Sequence, residues 1–455
     1  MTIEKVFSVL MMVVYSISIL FPVLAKLVDV SFVTLQSQLK SFLFLGMMVF
    51  LCLNLIHQYA SSLEIPKAIA RFLGVLLATI FLFFVRVKLD GTDFNTWNKH
   101  FQLLGLPYVF FAVFAFQFIT NIDKIYLFLR LLVYSSFGLS LIAIFQWVVG
   151  PSFLMALGLD LSVGGLEFTL GSAKDKEGDY IFRAFATLNN HYELAAILIV
   201  GVLALFILFK LKQIAWSSFL AFFCTIVFGL LTTYNITGWL LLLITSFVFI
   251  KLSNKFSINQ IRYYHSLKGK LTLLFILCFV SVILVATNVV DRLVINTNLV
   301  DSSFAWRLFF MQNQISSLFA SPFGLGWSYG YETGKALPFM ATADNYFLWV
   351  SMLGGFPFYL LFLYLFFAPL WFGYKNMKKV YCHYPQYYYL YIGIWCFVFS
   401  GVVCCFSNAF ITYTGVSNYF FWIAVGLIYK IGGFSETCHH ESLITGKNSA
   451  SVVAV

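Results

Sequence analysis

Arg183 is the first residue of this sequence whose type and position could do chemistry. It opens the stretch Arg-Ala-Phe-Ala-Thr-Leu-Asn-Asn, which leads directly into an apolar run that begins near residue 192. A guanidinium beside a helix N-terminus, where the helix dipole is positive, would bind an anion such as a phosphate. The same side chain could instead reach the lipid headgroups. The sequence leaves both interpretations open.

The polar residues that follow Arg183 allow two interpretations of their own. Asn190 and Glu193 are three residues apart and match a capping box, in which the two side chains bond to the backbone at the start of a helix. This structural role competes with a role for Asn190 in binding a substrate. His191, between them, is a weak candidate for a general base or a substrate contact.

Arg307 is the second arginine of interest, and it lies within residues 303–319. Apolar side chains recur in that stretch at helical spacing, with Arg307 at the edge of the stripe. Such a helix would lie in a membrane interface and hold the guanidinium at headgroup depth. It is either a plain anchor or, with Arg183, a clamp for pyrophosphate, which two guanidiniums suit well. That scheme needs no metal ion or other cofactor.

A glycine-containing segment follows, Ser-Pro-Phe-Gly-Leu-Gly-Trp-Ser-Tyr over residues 321–329. Gly324 and Gly326 would permit a tight turn or the close approach of the backbone to a ligand. Trp327 and Tyr329 could stack on a sugar, or could equally be aromatic residues of the membrane interface.

Asp344, Asn345 and Tyr346 stand at the mouth of the next long apolar run. Asp344 is a natural N-cap for a helix that starts there. Alternatively, it is a carboxylate that accepts a proton from a sugar hydroxyl. In that case Asn345 and Tyr346 would contribute to the same binding surface.

The elements that must position these residues are membrane helices. Of the 455 residues, 61% are hydrophobic, 20% aromatic and only 10% charged, whereas soluble chains are about 25% charged. A spanning helix needs about 20 mainly apolar residues. We therefore expect an all-α, polytopic membrane protein without a large soluble domain. Its twelve predicted spans lie near residues 6–25, 41–57, 68–87, 101–119, 125–149, 192–209, 214–232, 236–252, 271–287, 346–371, 387–406 and 416–431.

The basic residues predict the orientation of the spans. With the N-terminus in the cytoplasm, most of the 28 Lys and Arg residues fall on the inner side. Both termini are then cytoplasmic, and two long loops near 150–190 and 288–344 lie outside. We expect residues 1–432 to form one transmembrane domain and residues 433–455 to form a disordered cytoplasmic tail. The net charge of +10 is therefore a signal of topology, and we expect no nucleic-acid partner.

Three stretches together resemble the superfamily of O-antigen polymerases and O-antigen ligases of bacterial inner membranes. In the family, an arginine precedes an Asn-bearing helix start, an arginine helix leads to a Pro-x-Gly-x-Gly turn, and an Asn precedes a long apolar helix with glycines. The matching stretches here are residues 183–190, Trp306-Arg307 with residues 321–326, and residues 344–348 with Gly354-Gly355.

The resemblance implies a GT-C-like fold and a metal-independent, inverting glycosyltransferase of the inner membrane. The donor would be an undecaprenyl-pyrophosphate-linked glycan, whose pyrophosphate Arg183 and Arg307 would stabilise while an acceptor hydroxyl attacks the anomeric carbon. Membrane lipid and a chain-length regulator protein are further implied partners.

Two departures from the family pattern bear on the type of enzyme. Ligases resemble one another in a His before the Asn, where this chain has Asp344, which favours a polymerase with a ligase as the alternative. Residues 232–238 keep the small polar residues and the glycine of a Ser-Arg-Gly motif but lack its arginine. A flippase or other transporter is the alternative of another class, but the span centres lack the ionisable residues that transporters carry there.

Overall fold

The computed structural model describes residues 67–91, 100–101, 104–118, 122–150, 184–186, 188, 191–255, 312, 315–327, 346–405 and 416–445. Within these ranges every long regular element is an α-helix and no strand occurs. Besides a short helix over residues 315–320, the described ranges contain nine long helices. These are α1 (Lys67–Leu89), α2 (Leu106–Phe118), α3 (Ile122–Val149), α4 (His191–Lys210), α5 (Trp216–Thr232), α6 (Ile236–Lys255), α7 (Tyr346–His383), α8 (Pro385–Cys405) and α9 (Val416–Thr445).

The described helices coincide with nine of the twelve predicted spans. Four of them, α1, α3, α4 and α7, are long and apolar enough to cross a membrane, judged by length and composition. The predicted spans near 6–25, 41–57 and 271–287 lie outside the described residues, so the count of twelve and the GT-C-like arrangement stay predictions. Helix α9 continues to Thr445, past residue 432, where the sequence placed the end of the transmembrane domain.

Large apolar side chains face outward along these helices. Phe81 in α1 is 66% exposed, and Trp371 in α7 is 71% exposed. In lipid, each backbone N–H and C=O must be bonded within the protein, which a helix achieves by itself. The exposed apolar surface and the exclusively helical backbone of the described ranges are together compatible with a membrane protein.

Helix α4 lies at the centre of the bundle and packs against α3, α5, α6, α8 and α9. Its side chains are buried almost throughout, and between Glu193 and Lys210 it carries no ionisable residue. Gly201 admits α3 so closely that Ser136 occupies the space of a Cβ atom. The Ser136 hydroxyl also donates to Ile197 O at 3.1 Å. Small residues with interhelical hydrogen bonds are the usual means of close packing between membrane helices.

Five of the nine long helices described begin at one end of the bundle. At this end, which we call the loop end, α2, α4, α6, α7 and α9 begin, and α1, α3, α5 and α8 finish. At the opposite end, Lys430 Nζ donates to Phe116 O, the carbonyl near the end of α2, at 2.7 Å. There the Tyr388 hydroxyl of α8 donates to Leu252 O of α6 at 2.8 Å. The sequence-predicted site residues that the structure describes all lie at the loop end.

Candidate functional site

The first predicted outer loop returns to the bundle at residues 184–188, immediately before α4. Gln146 at the end of α3 binds this segment with three hydrogen bonds. Its Oε1 accepts the N–H groups of Phe185 at 3.2 Å and Ala186 at 2.8 Å, and its Nε2 donates to Ala186 O at 2.8 Å. Ala186 has a φ of 52°, a left-handed conformation that is uncommon for a residue with a Cβ atom. The segment is thus held in one specific conformation.

The same segment is also bonded to the end of α5. Ala184, which follows Arg183 in the chain, donates its N–H to Thr232 O at 3.0 Å. Thr232 opens the small polar stretch 232–238, in which Asn235 Oδ1 accepts the Gly238 N–H at 3.1 Å and caps the start of α6. Two stretches that are of interest for separate reasons in the sequence therefore meet at the loop end.

Buried polar side chains near the starts of three helices, α2, α4 and α9, lie close together. Glu193 of α4 is 5% exposed and interacts electrostatically with Tyr108 of α2, whose hydroxyl shares a hydrogen bond with Tyr419 of α9. The rings of Tyr108 and Tyr419 meet edge to face at 4.9 Å. Asn418 of α9 is fully buried, and neither end of its amide has a hydrogen-bond partner among the described residues. We call Tyr108, Glu193, Asn418 and Tyr419 the central polar cluster.

Most of this cluster is not apparent from the sequence. There, Glu193 is assigned only a capping role, and the other three residues fall within apolar runs. The sequence shows only that each of the three apolar runs has a polar side chain near its start. This does not show which helices will pack together.

Residues 321–327 form a compact turn, which we call the glycine turn. The Gly324 N–H donates to Ser321 O at 2.8 Å. Gly324 and Gly326 have φ values of 85° and 96°, which favour glycine because it has no Cβ atom. Of the two possibilities that the sequence leaves open for these glycines, the structure shows a tight turn.

The glycine turn packs against a break in helix α7. Gly355 interrupts that helix with φ 74° and ψ 176°. Across the break, Leu325 N donates to Met352 O at 2.9 Å, Gly326 N to Leu353 O at 3.1 Å, and Phe356 N to Pro322 O at 2.8 Å. These bonds satisfy backbone groups that the interrupted helix leaves open. Gly324 and Gly326 thus permit a close contact between the turn and the backbone of α7.

An ion pair at the end of α1 holds the other side of the glycine turn. Arg86 Nε lies 3.0 Å from Asp90 Oδ1, and Arg86 Nη2 donates to Gly324 O at 3.1 Å. Asp90 Oδ2 accepts the Trp327 N–H at 2.8 Å. Neither residue is among those predicted from the sequence, although their spacing of four on one helix is typical of an ion pair.

Trp327 is fully buried and so does not present its ring for stacking on a sugar. Its ring lies 5.1 Å from that of Phe83 and 5.6 Å from that of His100. His100 is itself buried, and its burial lowers the pKa from 6.5 to about 4, against the opposing effect of a hydrogen bond to the Trp327 backbone. The imidazole is therefore neutral near pH 7.

The remaining sequence-predicted residues divide into two groups. His191 is fully buried with its ring 3.9 Å from that of Tyr192, and Tyr346 is 1% exposed and stacked on Trp349 at 6.0 Å. Both are packed inside the helix bundle, with no open surface for a ligand among the described residues. The others lie outside the described residues: Arg183, Asn190, Arg307, Tyr329, Asp344 and Asn345.

The interfacial helix predicted over 303–319 is described only in its last part. Residues 315–320 are helical. Leu318 is buried, as the predicted stripe requires, whereas Ile315, from the same stripe, is 40% exposed. In the described portion of the chain, no three His, Cys, Asp or Glu side chains come together as a metal site would require.

No known protein-family model matches the chain, and no curated protein is similar enough to count as a relative. What the fold itself defines is a class: an all-helical protein, in its described part, with four helices long and apolar enough to span a membrane.

Proposed function

We propose that this protein is a metal-independent, inverting glycosyltransferase that polymerises undecaprenyl-pyrophosphate-linked oligosaccharide units at the outer face of a bacterial inner membrane. Arg183 and Arg307 bind the pyrophosphate of the donor, and Asp344 orients or deprotonates the acceptor hydroxyl. The hydroxyl attacks the anomeric carbon, the bond to the pyrophosphate breaks, and the lipid pyrophosphate leaves as an anion. Guanidiniums suit this leaving group because they form paired, charge-assisted hydrogen bonds to phosphate oxygens.

One observation supports the proposal most directly: the stretches that resemble the polymerase and ligase superfamily, together with residues 232–238, form two contacting pairs. The segment after Arg183 is bonded to Thr232. The glycine turn is bonded across Gly355, the glycine of the third stretch. These stretches are far apart in the chain and are defined by sequence alone, so their contacts in pairs favour a shared function.

The distribution of charge favours an enzyme over a transporter. Among the residues that the structure describes, the ionisable side chains of the central helix α4 are confined to its two ends, with His191, Tyr192 and Glu193 at the start and Lys210 at the finish. A transporter would be expected to carry such groups deep within its spans, facing a path for ions or substrate.

A reconstituted reaction tests the proposal. The purified protein in liposomes, supplied with an undecaprenyl-pyrophosphate-linked repeat unit and a chelator, should form longer glycans on the lipid. Arg183→Glu and Arg307→Glu should each abolish the product because they replace a phosphate ligand by a repelling charge. Arg71→Glu, a charge reversal at an exposed position at the opposite end of α1, is the matched control and should leave the product unchanged.

Cells that carry the same variants separate the alternatives. Loss of a polymerase leaves single repeat units on the lipid A core, whereas loss of a ligase leaves long chains on undecaprenol. Normal chain lengths with Arg307→Glu would refute its role as a phosphate ligand. Movement of the lipid-linked unit across the liposome membrane without any glycan being joined would refute the enzyme assignment in favour of a flippase.

A further inference from the structure

We infer that Arg86 and Asp90 are positioning residues, which fix the glycine turn and the chain that leaves it at Trp327. The geometry of the inference is independent of the activity. Its consequence for turnover rests on the proposed function, in which the turn belongs to the active site.

The pair connects three elements that are distant in sequence. Asp90 Oδ2 accepts the Trp327 N–H at 2.8 Å, and Arg86 Nη2 donates to Gly324 O at 3.1 Å. The same guanidinium is bonded through Nε to the Asp90 carboxylate at 3.0 Å. On its other side the turn is bonded to residues 352–356 of α7. The turn is therefore held between the end of α1 and the break in α7.

The fit around the carboxylate is close. A Cβ atom on Gly326 would lie 2.7 Å from Asp90 Oδ2. Any other residue at position 326 would therefore collide with the carboxylate that accepts the Trp327 N–H group. Asp90 is 10% and Arg86 26% exposed in their side chains. The pair is therefore partly buried, and water and salt screen its attraction less than at the surface. The hydrogen bonds to the turn are what give this pair a specific role.

Each of those hydrogen bonds needs a donor on one side and an acceptor on the other, whereas an ion pair keeps its attraction when its two residues are exchanged. The turn offers an N–H at Trp327 and a carbonyl at Gly324, so it needs an acceptor from position 90 and a donor from position 86. Exchanging the two residues would keep an ion pair of the same spacing but present a donor to the N–H group. The exchanged pair therefore separates the positioning role from the plain electrostatic one.

Four variants make the test: Asp90→Ala, Asp90→Asn, the exchange Arg86→Asp with Asp90→Arg, and the control Lys88→Ala. Lys88 is exposed at the same helix end, and its side chain makes no hydrogen bond or ion pair with the described residues. Hydrogen exchange of the Trp327 amide in nanodisc-embedded protein should become at least tenfold faster in Asp90→Ala and in the exchange variant. Exchange in α4 should not change, which excludes general unfolding. Asp90→Asn keeps an acceptor and should show an intermediate rate.

Turnover in the reconstituted reaction gives the second measurement. In Asp90→Ala and in the exchange variant we expect kcat to fall at least tenfold with KM for the donor within twofold, because the pyrophosphate ligands are untouched. Asp90→Asn should recover part of kcat, and Lys88→Ala should equal the wild type. Wild-type amide exchange and turnover in the exchange variant would overturn the inference, because an ion pair alone would then suffice.

The two proposals fail in different ways. If the wild-type protein joins no glycan, the proposed function is wrong, while amide exchange still decides whether the pair holds the turn. If the wild type joins glycans and Asp90→Ala does so equally fast with a loosened turn, only the positioning role is wrong.

Discussion

Gln146 shows how a single side chain can set the conformation of a loop. It makes three hydrogen bonds to the backbone of Phe185 and Ala186 and is itself 6% exposed. Nothing in the sequence indicates this role, because a glutamine near the end of an apolar run could face any direction. The position of Arg183 before a helix could be predicted, but the residue that holds its neighbours could not.

We expect Gln146→Leu to destabilise the protein by about 3 kcal/mol, since it leaves buried backbone groups without partners, each at about 1–3 kcal/mol. Gln146→Glu keeps an acceptor for both N–H groups but, when ionised, opposes Ala186 O with a carboxylate oxygen, so we expect it to keep more of the Ala186 amide protection than Gln146→Leu and less than the wild type. Gln213→Leu removes one exposed hydrogen bond with Arg130 and serves as control. Thermal unfolding and amide exchange at Ala186 measure the effects, and equal behaviour of Gln146→Leu and Gln213→Leu would contradict this prediction.

His100 predicts a dependence of stability on pH. Burial lowers its pKa from 6.5 to about 4 in the folded protein, so between these values the unfolded chain binds the proton more readily. Stability should therefore fall as the pH drops from 6.5 towards 4, by about 3 kcal/mol in all, because a tenfold change in proton concentration is worth roughly 1.4 kcal/mol in this interval. Thermal unfolding of the wild type and His100→Gln over pH 4–7 measures it. A wild-type curve parallel to that of His100→Gln would contradict the assignment.

At the scale of the elements, the apolar runs predicted the described helices well but not the break in α7. The sequence placed one uninterrupted span over residues 346–371, although Gly354, Gly355 and Pro357 lie within it. Glycines in membrane helices are common, so they do not by themselves indicate a break. The break depends on the glycine turn, which supplies bonds to Leu353 O and Phe356 N from a distant part of the chain.

Gly355→Ala and Gly324→Ala should each displace the turn. Both glycines have positive φ, and a Cβ atom on either would collide with the backbone of the other segment, which cannot move aside as a side chain could. We expect thermal unfolding at lower temperature and loss of Trp327 amide protection in both. The control is Gly74→Ala in α1, where a Cβ atom meets nothing within 4 Å and should stabilise the helix by about 0.5–1 kcal/mol. A Gly355→Ala protein as stable as the control would contradict the role of the break.

At the scale of the whole molecule, the two predicted loops are fixed to different parts of the bundle. Residues 184–186 are bonded to α3 and α5, whereas the glycine turn is bonded to α1 and α7. The central polar cluster is formed by a third set of helices, α2, α4 and α9. Composition and charge predicted a helical bundle with functional segments at one end. They could not predict this arrangement, because which helices become neighbours depends on small residues such as Gly201 and Gly426 that admit close packing.

The break at Gly355 also determines how helix α7 would fit into a lipid bilayer. A continuous helix of the length of Tyr346–His383 would measure about 57 Å at 1.5 Å per residue, nearly twice the hydrocarbon thickness of about 30 Å. The chain instead reverses at Gly355, because the rings of Tyr346 and Phe362 lie 5.5 Å apart and those of Phe347 and Phe366 5.4 Å apart, whereas a continuous helix would separate residues 16 positions apart by about 24 Å. Residues 356–383 would then be the part of α7 that crosses a bilayer, and at about 42 Å this part would have to tilt or to extend beyond a hydrocarbon core of about 30 Å.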